Sequence, residues 1–349
     1  MTATLIGAPV PPAQAHDAAL YDLDGVIYLG PEVVAHAVES VLAATAAGAR
    51  PLYVTNNSSR EPETIAAQIS GYGLACAASE VVTSAQAVAL LLEEILEPGA
   101  TVLPVGGDGL RTAVRARGFS LVESAADRPD AVVQGFAADL GWRDLAEAAY
   151  AIGAGARHVA TNLDGSIPNE HGIAPGNGAL VRAVVEATGV QPVASGKPQP
   201  EIFRQAAERV GARAPIAIGD RLDTDLEGAR SAGMPGMLVL TGVTTARDTV
   251  LAVPAQRPSL LATDLRGLHE VHPEPRHADG WWHCGDAGAR VRDGRLELIA
   301  GDDVRTLESG TAEITLDEWR ALCVAAWAAA DAGAGPEPRS VPALSVSGR

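Results

Sequence analysis

Positive charge is what this sequence has least of. Lys and Arg together number 26 against 43 Asp and Glu, a formal charge of −17 over 349 residues. Such a chain is repelled by nucleic-acid backbones and by anionic membrane surfaces, so neither is expected as a partner. Long apolar runs are missing too: none approaches the ~20 residues that span a bilayer. Cysteine is scarce, with Cys76, Cys284 and Cys323 scattered along the chain. An odd number without ligand spacing excludes a disulfide framework and a thiolate metal site, and fits a reducing, cytoplasmic setting. Residues 1–15 lack a basic stretch and carry Pro9, Pro11 and Pro12, so they read as a flexible tail and not as a signal peptide. No internal repeat is present.

Lysine is the scarcest residue that matters. There is one, Lys197, which leaves 26 − 1 = 25 arginines. In a chain with so little lysine, the survivor points to a place where a compact point charge is needed and a broad planar fork does not serve; the bland reading is a chance surface lysine on a loop. It lies in Ser195-Gly196-Lys197-Pro198, a tight segment that proline excludes from a helix.

What is present is an alternation. Short apolar runs occupy 18–23, 51–55, 101–105, 130–134, 157–161, 215–219 and 236–240. Ala-rich, helix-like stretches lie between them at 33–47, 61–71, 84–96, 107–117, 142–154, 177–188 and 200–210. Strand alternating with helix predicts parallel sheets covered by helices. In such sheets ligands sit at the carboxyl ends of strands. The run Ala18–Tyr21 ends in Asp22-Leu23-Asp24-Gly25, two acids and a turn glycine. Paired acids repel unless a cation or a proton offsets them, and a carboxylate can attack phosphorus. The oxygen-only donor set points to Mg²⁺. Three more strand ends follow in order: Thr55-Asn56-Asn57-Ser58, then Gly196-Lys197-Pro198, then Gly219-Asp220 with Asp223 and Asp225. Each alone is weak, since Asp at a strand end is often a turn former; the ordered set is specific. Gly106-Gly107-Asp108-Gly109 and Gly176-Asn177-Gly178 do not complete a dinucleotide pattern and read as strand-to-helix turns.

In these four motifs, over residues 18–245, the chain resembles the haloacid dehalogenase (HAD) superfamily of phosphohydrolases, in the branch with a large α/β cap between the second and third motifs. Within it, the Ala-rich chain with its extra tail is most similar to the mycobacterial type of glycerol 3-phosphate phosphatase. The resemblance implies a Rossmann-like HAD core with an inserted α/β cap domain. It also implies a phosphomonoester hydrolase working through an aspartyl-phosphate. Asp22 would be the nucleophile and Asp24 the acid and base. Mg²⁺ would be held by Asp22, the Asp24 carbonyl and Asp220. Lys197 and Thr55 would hold the phosphoryl oxygens. Asn56 would meet phosphate through its N–H, and Asp223 and Asp225 would support Lys197 or metal-bound water, unless one of them caps the following helix. Asn57, Arg60 and His171 are candidates for substrate contact; the bland readings are a solvated charge for Arg60 and an inert loop histidine for His171. The segment Thr161-Asn162-Leu163-Asp164-Gly165 is similar to the part of the cap that faces the site. The expected partner is a small phosphorylated metabolite, and the resemblance adds a homodimer. Phosphoglycolate, pyridoxal phosphate and p-nitrophenyl phosphate are the alternative substrates. A phosphotransferase or mutase and a non-catalytic binding module are the alternative classes.

The C-terminal part reads differently. Arg290–Arg292, Asp293-Gly294 and Arg295–Ile299 predict a hairpin with an Asp-Gly turn. Thr315-Leu316-Asp317-Glu318 is a capping box, after which Trp319, Leu322, Cys323, Ala326, Trp327 and Ala330 share one helical face. The expected division is a core of 16–82 and 187–262, a cap of 83–186, an α+β appendage of 263–332 and a disordered tail of 333–349. An acetyltransferase-like piece is an alternative for the appendage, but 263–349 holds no glycine-rich pyrophosphate loop, and a structural cover is the expectation.

Overall fold

The computed structural model describes residues 5–169, 171–300 and 303–347. They form two compact units, one of residues up to Pro51 together with Val210 onward, the other of Leu52–Arg209; the chain passes from the first to the second within the strand Arg50–Thr55.

In the first unit the strands Leu260–Ala262, Gly236–Val239, Pro215–Gly219 and Ala18–Tyr21 lie side by side in that order, all parallel. Ala18–Tyr21, Gly236–Val239 and Leu260–Ala262 are buried at every position, as befits strands with both faces covered. That explains their reading as continuous apolar runs without alternation. Leu260–Ala262 escaped the sequence reading because three residues are too few to declare a run. A short hairpin of Tyr28–Leu29 and Glu32–Val33 follows the first strand, so the helix expected over 33–47 is confined to Ala37–Ala46.

The C-terminal part of this unit is an antiparallel meander of Arg276–Ala278, Trp281–Cys284, Ala287–Arg292, Arg295–Ala300 and Asp303–Thr306. Arg292 pairs with Arg295 across Asp293-Gly294, both with positive φ, which is the expected hairpin turn. The capping box is formed: the Glu318 N–H donates to Thr315 Oγ1 at 3.2 Å, and the Thr315 N–H to Glu318 Oε2 at 2.7 Å. The helix it opens, Leu316–Asp331, is not a one-sided stripe. Leu316 and the residues from Glu318 to Trp327 are all buried, while Ala330 is exposed. The reason is that the helix packs on both the meander and the α/β part. Trp319, Leu322 and Trp327 share one core with Leu222, Leu238 and Leu261 on one side and Ala289, Leu296 and Leu298 on the other. The indole N–H groups of Trp319 and Trp327 donate to Ala246 and Thr249 carbonyls at 3.1 and 2.9 Å, and Arg257 makes a two-bond fork, 2.8 Å each, with Asp331.

Two expectations about the ends need correction. Over its described residues, 333–347, the expected disordered tail is structured: Ala343–Ser347 forms a strand parallel to Thr311–Thr315, with Leu344 and Val346 packed on the shared core. Pro and Ser content misled, because a short alternating strand needs only a partner. Nor is 5–15 a loose tail. Leu5 is buried, the Ile6 N–H donates to Ser259, Ala8 exchanges backbone bonds with His272, and Pro12–Ala15 is helical. Residues 1–4 and 348–349 lie outside the described residues.

In the second unit a five-stranded parallel sheet runs Val193–Ala194, Arg157–Ala160, Ala131–Gln134, Thr101–Val105, Ser120–Leu121. Its side chains alternate between two cores. Val102, Val133 and Val159 pack under Val88, Leu92, Leu110 and Val114, while Leu103, Val105 and Val132 pack under Ala148, Ile152 and Val184. Strand Arg50–Thr55 pairs in parallel with Val81–Thr83, and an antiparallel hairpin of Ser166–Asn169 and Gly172–Pro175 projects from the segment before helix Asn177–Thr188.

Candidate active site

The acidic cluster of the first unit is made by strand register. Tyr21 is level with Ile218, so Asp22 and Asp220 emerge from neighbouring parallel strands within two residues of that level; the Asp22 N–H closes the ladder onto the Ile218 carbonyl at 2.9 Å. Carboxylate oxygens of Asp22, Asp220 and Asp225 lie within 4.8 Å of one another. Asp225 arrives there because the chain after Asp220 makes a π-helical turn, Leu222–Leu226, in which the Leu226 N–H reaches back to the Arg221 carbonyl at 3.2 Å. Asp223, on the same turn, faces outward, 56% exposed, and forks with Arg221 at 3.1 and 2.8 Å. Three hard oxygen anions this close repel unless a cation sits among them, and the donor set suits Mg²⁺.

Backbone crowds Asp220. Its carboxylate accepts the Val243 N–H at 2.6 Å, and its carbonyl accepts the Thr244 N–H. Gly25 sits at φ +86, where a Cβ would fall 2.7 Å from the Asp220 carboxyl group; its own carbonyl accepts the Thr241 hydroxyl at 2.5 Å. Glycine is required here on both counts. Just before it, Asp24 is exposed on a tight turn in which the Val26 and Ile27 N–H groups return to Leu23.

The second unit carries the candidates Thr55, Asn56 and Lys197. Thr55 ends its strand with its hydroxyl buried, accepting the Asn57 N–H at 3.0 Å. Lys197 is 3% exposed, and its ammonium donates to the Val54 carbonyl at 3.1 Å. The Asn56 carboxamide lies between: Oδ1 accepts the Lys197 N–H at 2.8 Å, and Nδ2 donates to the Lys197 carbonyl at 3.1 Å and to the Asp164 carboxylate at 3.2 and 3.0 Å. The Asn56 carbonyl accepts from Ser84 and from Asn162. Beneath these, Asn177 donates to the Asn162 carbonyl at 2.8 Å, and Gln134 meets His158 at 2.7 Å; burial lowers the His158 pKa.

The remaining candidates lie on a loop and a hairpin of the second unit. The Asn57 side chain caps its own loop, accepting from the Ser59 and Arg60 N–H groups, and the Arg60 guanidinium donates to Gln68 at 2.5 Å. His171 is exposed in the turn of the hairpin Ser166–Pro175. The side-chain part played by Asn56, and its partner Asp164, escaped the sequence reading: nothing in the run Thr55-Asn56-Asn57 says which amide turns inward.

Comparison with known proteins follows the same residues. A haloacid dehalogenase-like hydrolase model matches residues 19–120, and a HAD-hydrolase-like model matches 194–268. The D-glycerol 3-phosphate phosphatase of Mycobacterium tuberculosis is 43% identical over 337 residues, 95% of this chain and 91% of that protein. Solved structures of a glycerol phosphate phosphatase from Mycobacterium tuberculosis superpose with TM-score 0.83 in complex with calcium (41% identity, 95% of this chain, 94% of that one) and 0.81 in complex with magnesium (40%, 97% and 95%). The acid sugar phosphatase of Staphylococcus saprophyticus is 40% identical over 235 residues, 67% of this chain but 90% of that protein.

Proposed function

The chain belongs to the haloacid dehalogenase-like hydrolases, and on that premise we propose that it is a Mg²⁺-dependent phosphomonoester hydrolase whose substrate is glycerol 3-phosphate. The observation that carries the chemistry is the cluster of Asp22, Asp220 and Asp225 at the ends of parallel strands. The substrate rests on the phosphatase of that name, which matches nearly the full length of this chain, appendage included.

Asp22, Asp220 and Asp225, with the Asp24 backbone carbonyl, would hold the ion, which supplies a Lewis acid beside the phosphoryl oxygens. The Asp22 carboxylate attacks phosphorus, a P–O bond to Asp22 forms, and the bond to the glycerol oxygen breaks. Asp24, exposed two residues on, gives that oxygen its proton, because an alkoxide is a poor leaving group. Water then attacks the aspartyl-phosphate, Asp24 takes its proton, and phosphate leaves with Asp22 restored. Lys197 and the Thr55 hydroxyl donate to phosphoryl oxygens as charge shifts onto them. In this reading 16–82 and 187–262 carry the chemistry, 83–186 selects the substrate, and the C-terminal segment is structural. The three cysteines are unpaired thiols, which supports a cytoplasmic setting. A homodimer, and the absence of nucleic-acid partners in a chain this acidic, complete the proposal.

The experiment is phosphate release with Mg²⁺ from a panel of small phosphomonoesters, with Asp22→Asn as control. Release led by glycerol 3-phosphate and absent in the variant is the expected result. A lead by phosphoglycolate, pyridoxal phosphate or a sugar phosphate overturns the substrate, and no release from any of them overturns the activity.

A further inference from the structure

Lys197 is gripped at both ends. Its ammonium is held by the Val54 carbonyl, and its peptide by a single side chain, the Asn56 carboxamide, which accepts from its N–H at 2.8 Å and donates to its C=O at 3.1 Å. An amide that satisfies both backbone groups of one residue fixes that residue as a strand partner would. The fit is close: a Cβ on Gly196 would fall 2.6 Å from Asn56 Oδ1. What fixes the amide in turn is Asp164. An ionised carboxylate only accepts, so the Asn56 Nδ2 must face it, and Oδ1 must then face the Lys197 N–H.

We propose that Asn56 is a positioning residue for Lys197, oriented by Asp164, so that the loop 161–165 sets the place of the cation. Asn56 acts through Lys197 with its side chain, whatever its N–H does for phosphate. A lysine on a free four-carbon stem samples many rotamers; one anchored at its peptide and at its ammonium is already where charge develops, which lowers the barrier without tightening substrate binding. Asp164 stands two residues before the hairpin Ser166–Pro175. Contact with that hairpin is therefore transmitted to the cation through two side chains, Asp164 and Asn56.

The test uses the composition of the chain. With one lysine in 349 residues, protein labelled with [¹⁵N]lysine gives a single backbone amide signal, that of Lys197, with no assignment needed. In Asn56→Ala that signal is expected to shift and its hydrogen exchange to quicken at least about tenfold, with the thermal midpoint close to that of the parent. Asp164→Ala is expected to do the same to a smaller degree, and Asp164→Asn to restore most of the protection, because a carboxamide oxygen can still accept from Asn56. The inference rests on the proposed phosphatase reading for one arm only. With glycerol 3-phosphate, kcat in Asn56→Ala is expected to fall about 10–100-fold while KM stays within about threefold. An unmoved Lys197 signal overturns the inference, as does exchange that quickens equally at [¹⁵N]leucine amides of the core, or a loss carried by KM. If the parent protein hydrolyses no phosphomonoester, the functional reading fails, and the lysine signal still decides this one.

Discussion

The two units position their charges by different means. In the first, Asp22 and Asp220 stand where parallel register and backbone contacts put them, and the core beneath runs without a break from Leu5 through Leu222 and Leu238 to Trp327 and Val341. In the second, a side-chain amide holds the peptide of the lysine, and the sheet divides its apolar residues between two separate cores. A charge set by backbone is insensitive to nearby side chains and sensitive to the core that holds the strands. A charge set by an amide is the reverse.

The largest expected effect separates chemistry from fold within the first unit. Asp22→Asn should lower kcat at least about 10⁴-fold, since an amide is no nucleophile, while its thermal midpoint stays at or above that of the parent, because one repelling charge is gone. A fall in stability would show that the acids, and not the register, hold the strand ends. Next is Trp319→Ala, far along the chain from those acids. Removing a fully buried indole should cost about 3–5 kcal/mol, and hydrogen exchange should quicken together in Leu316–Asp331 and in Gly236–Val239, whose Leu238 shares that core. Quickening in the helix alone would break the idea of one shared core. Asp331→Ala leaves Arg257, 1% exposed at its side chain, without its fork, and should cost about 3 kcal/mol by denaturant titration. Arg257 also holds the Asp331 carboxyl below its ordinary value of 3.8. A depressed acid stabilises the fold above its unfolded pKa and loses that contribution as pH falls through the folded value, so the gap between Asp331→Ala and the parent should narrow below about pH 4. The smallest effect is Thr315→Ala, which removes a cap and should cost about 1 kcal/mol, read as a small drop in denaturation midpoint with kcat unchanged.

All seven apolar runs became strands and all seven Ala-rich stretches helices, because buried parallel strands carry their signal in composition alone. The acids were legible for the same reason: polar residues directly after an apolar run declare a strand end. What stayed hidden depends on contacts distant in sequence or on an irregular local turn. Gly25 is glycine because Asp220, almost two hundred residues on, presses against it. Asp225 rather than Asp223 turns inward because of one π-helical turn. The helix Leu316–Asp331 showed one apolar stripe, but its many alanines let a second surface close on it, and Ala343–Ser347 looked unstructured because its partner strand lies across that helix in the sequence.

The division of the chain has a consequence for synthesis. Residues 52–209 form one uninterrupted stretch, so that unit is complete once it clears the ribosome. Ala18–Tyr21 emerges first of all the strands, yet its neighbour Pro215–Gly219 is made almost two hundred residues later, and the core around Leu5 closes only when Val341 has been added. At ~5–20 residues per second, the first strand spends on the order of ten seconds or more without its neighbour. Asp22, the earliest translated of the proposed site residues, is thus made long before the strand beside which it stands.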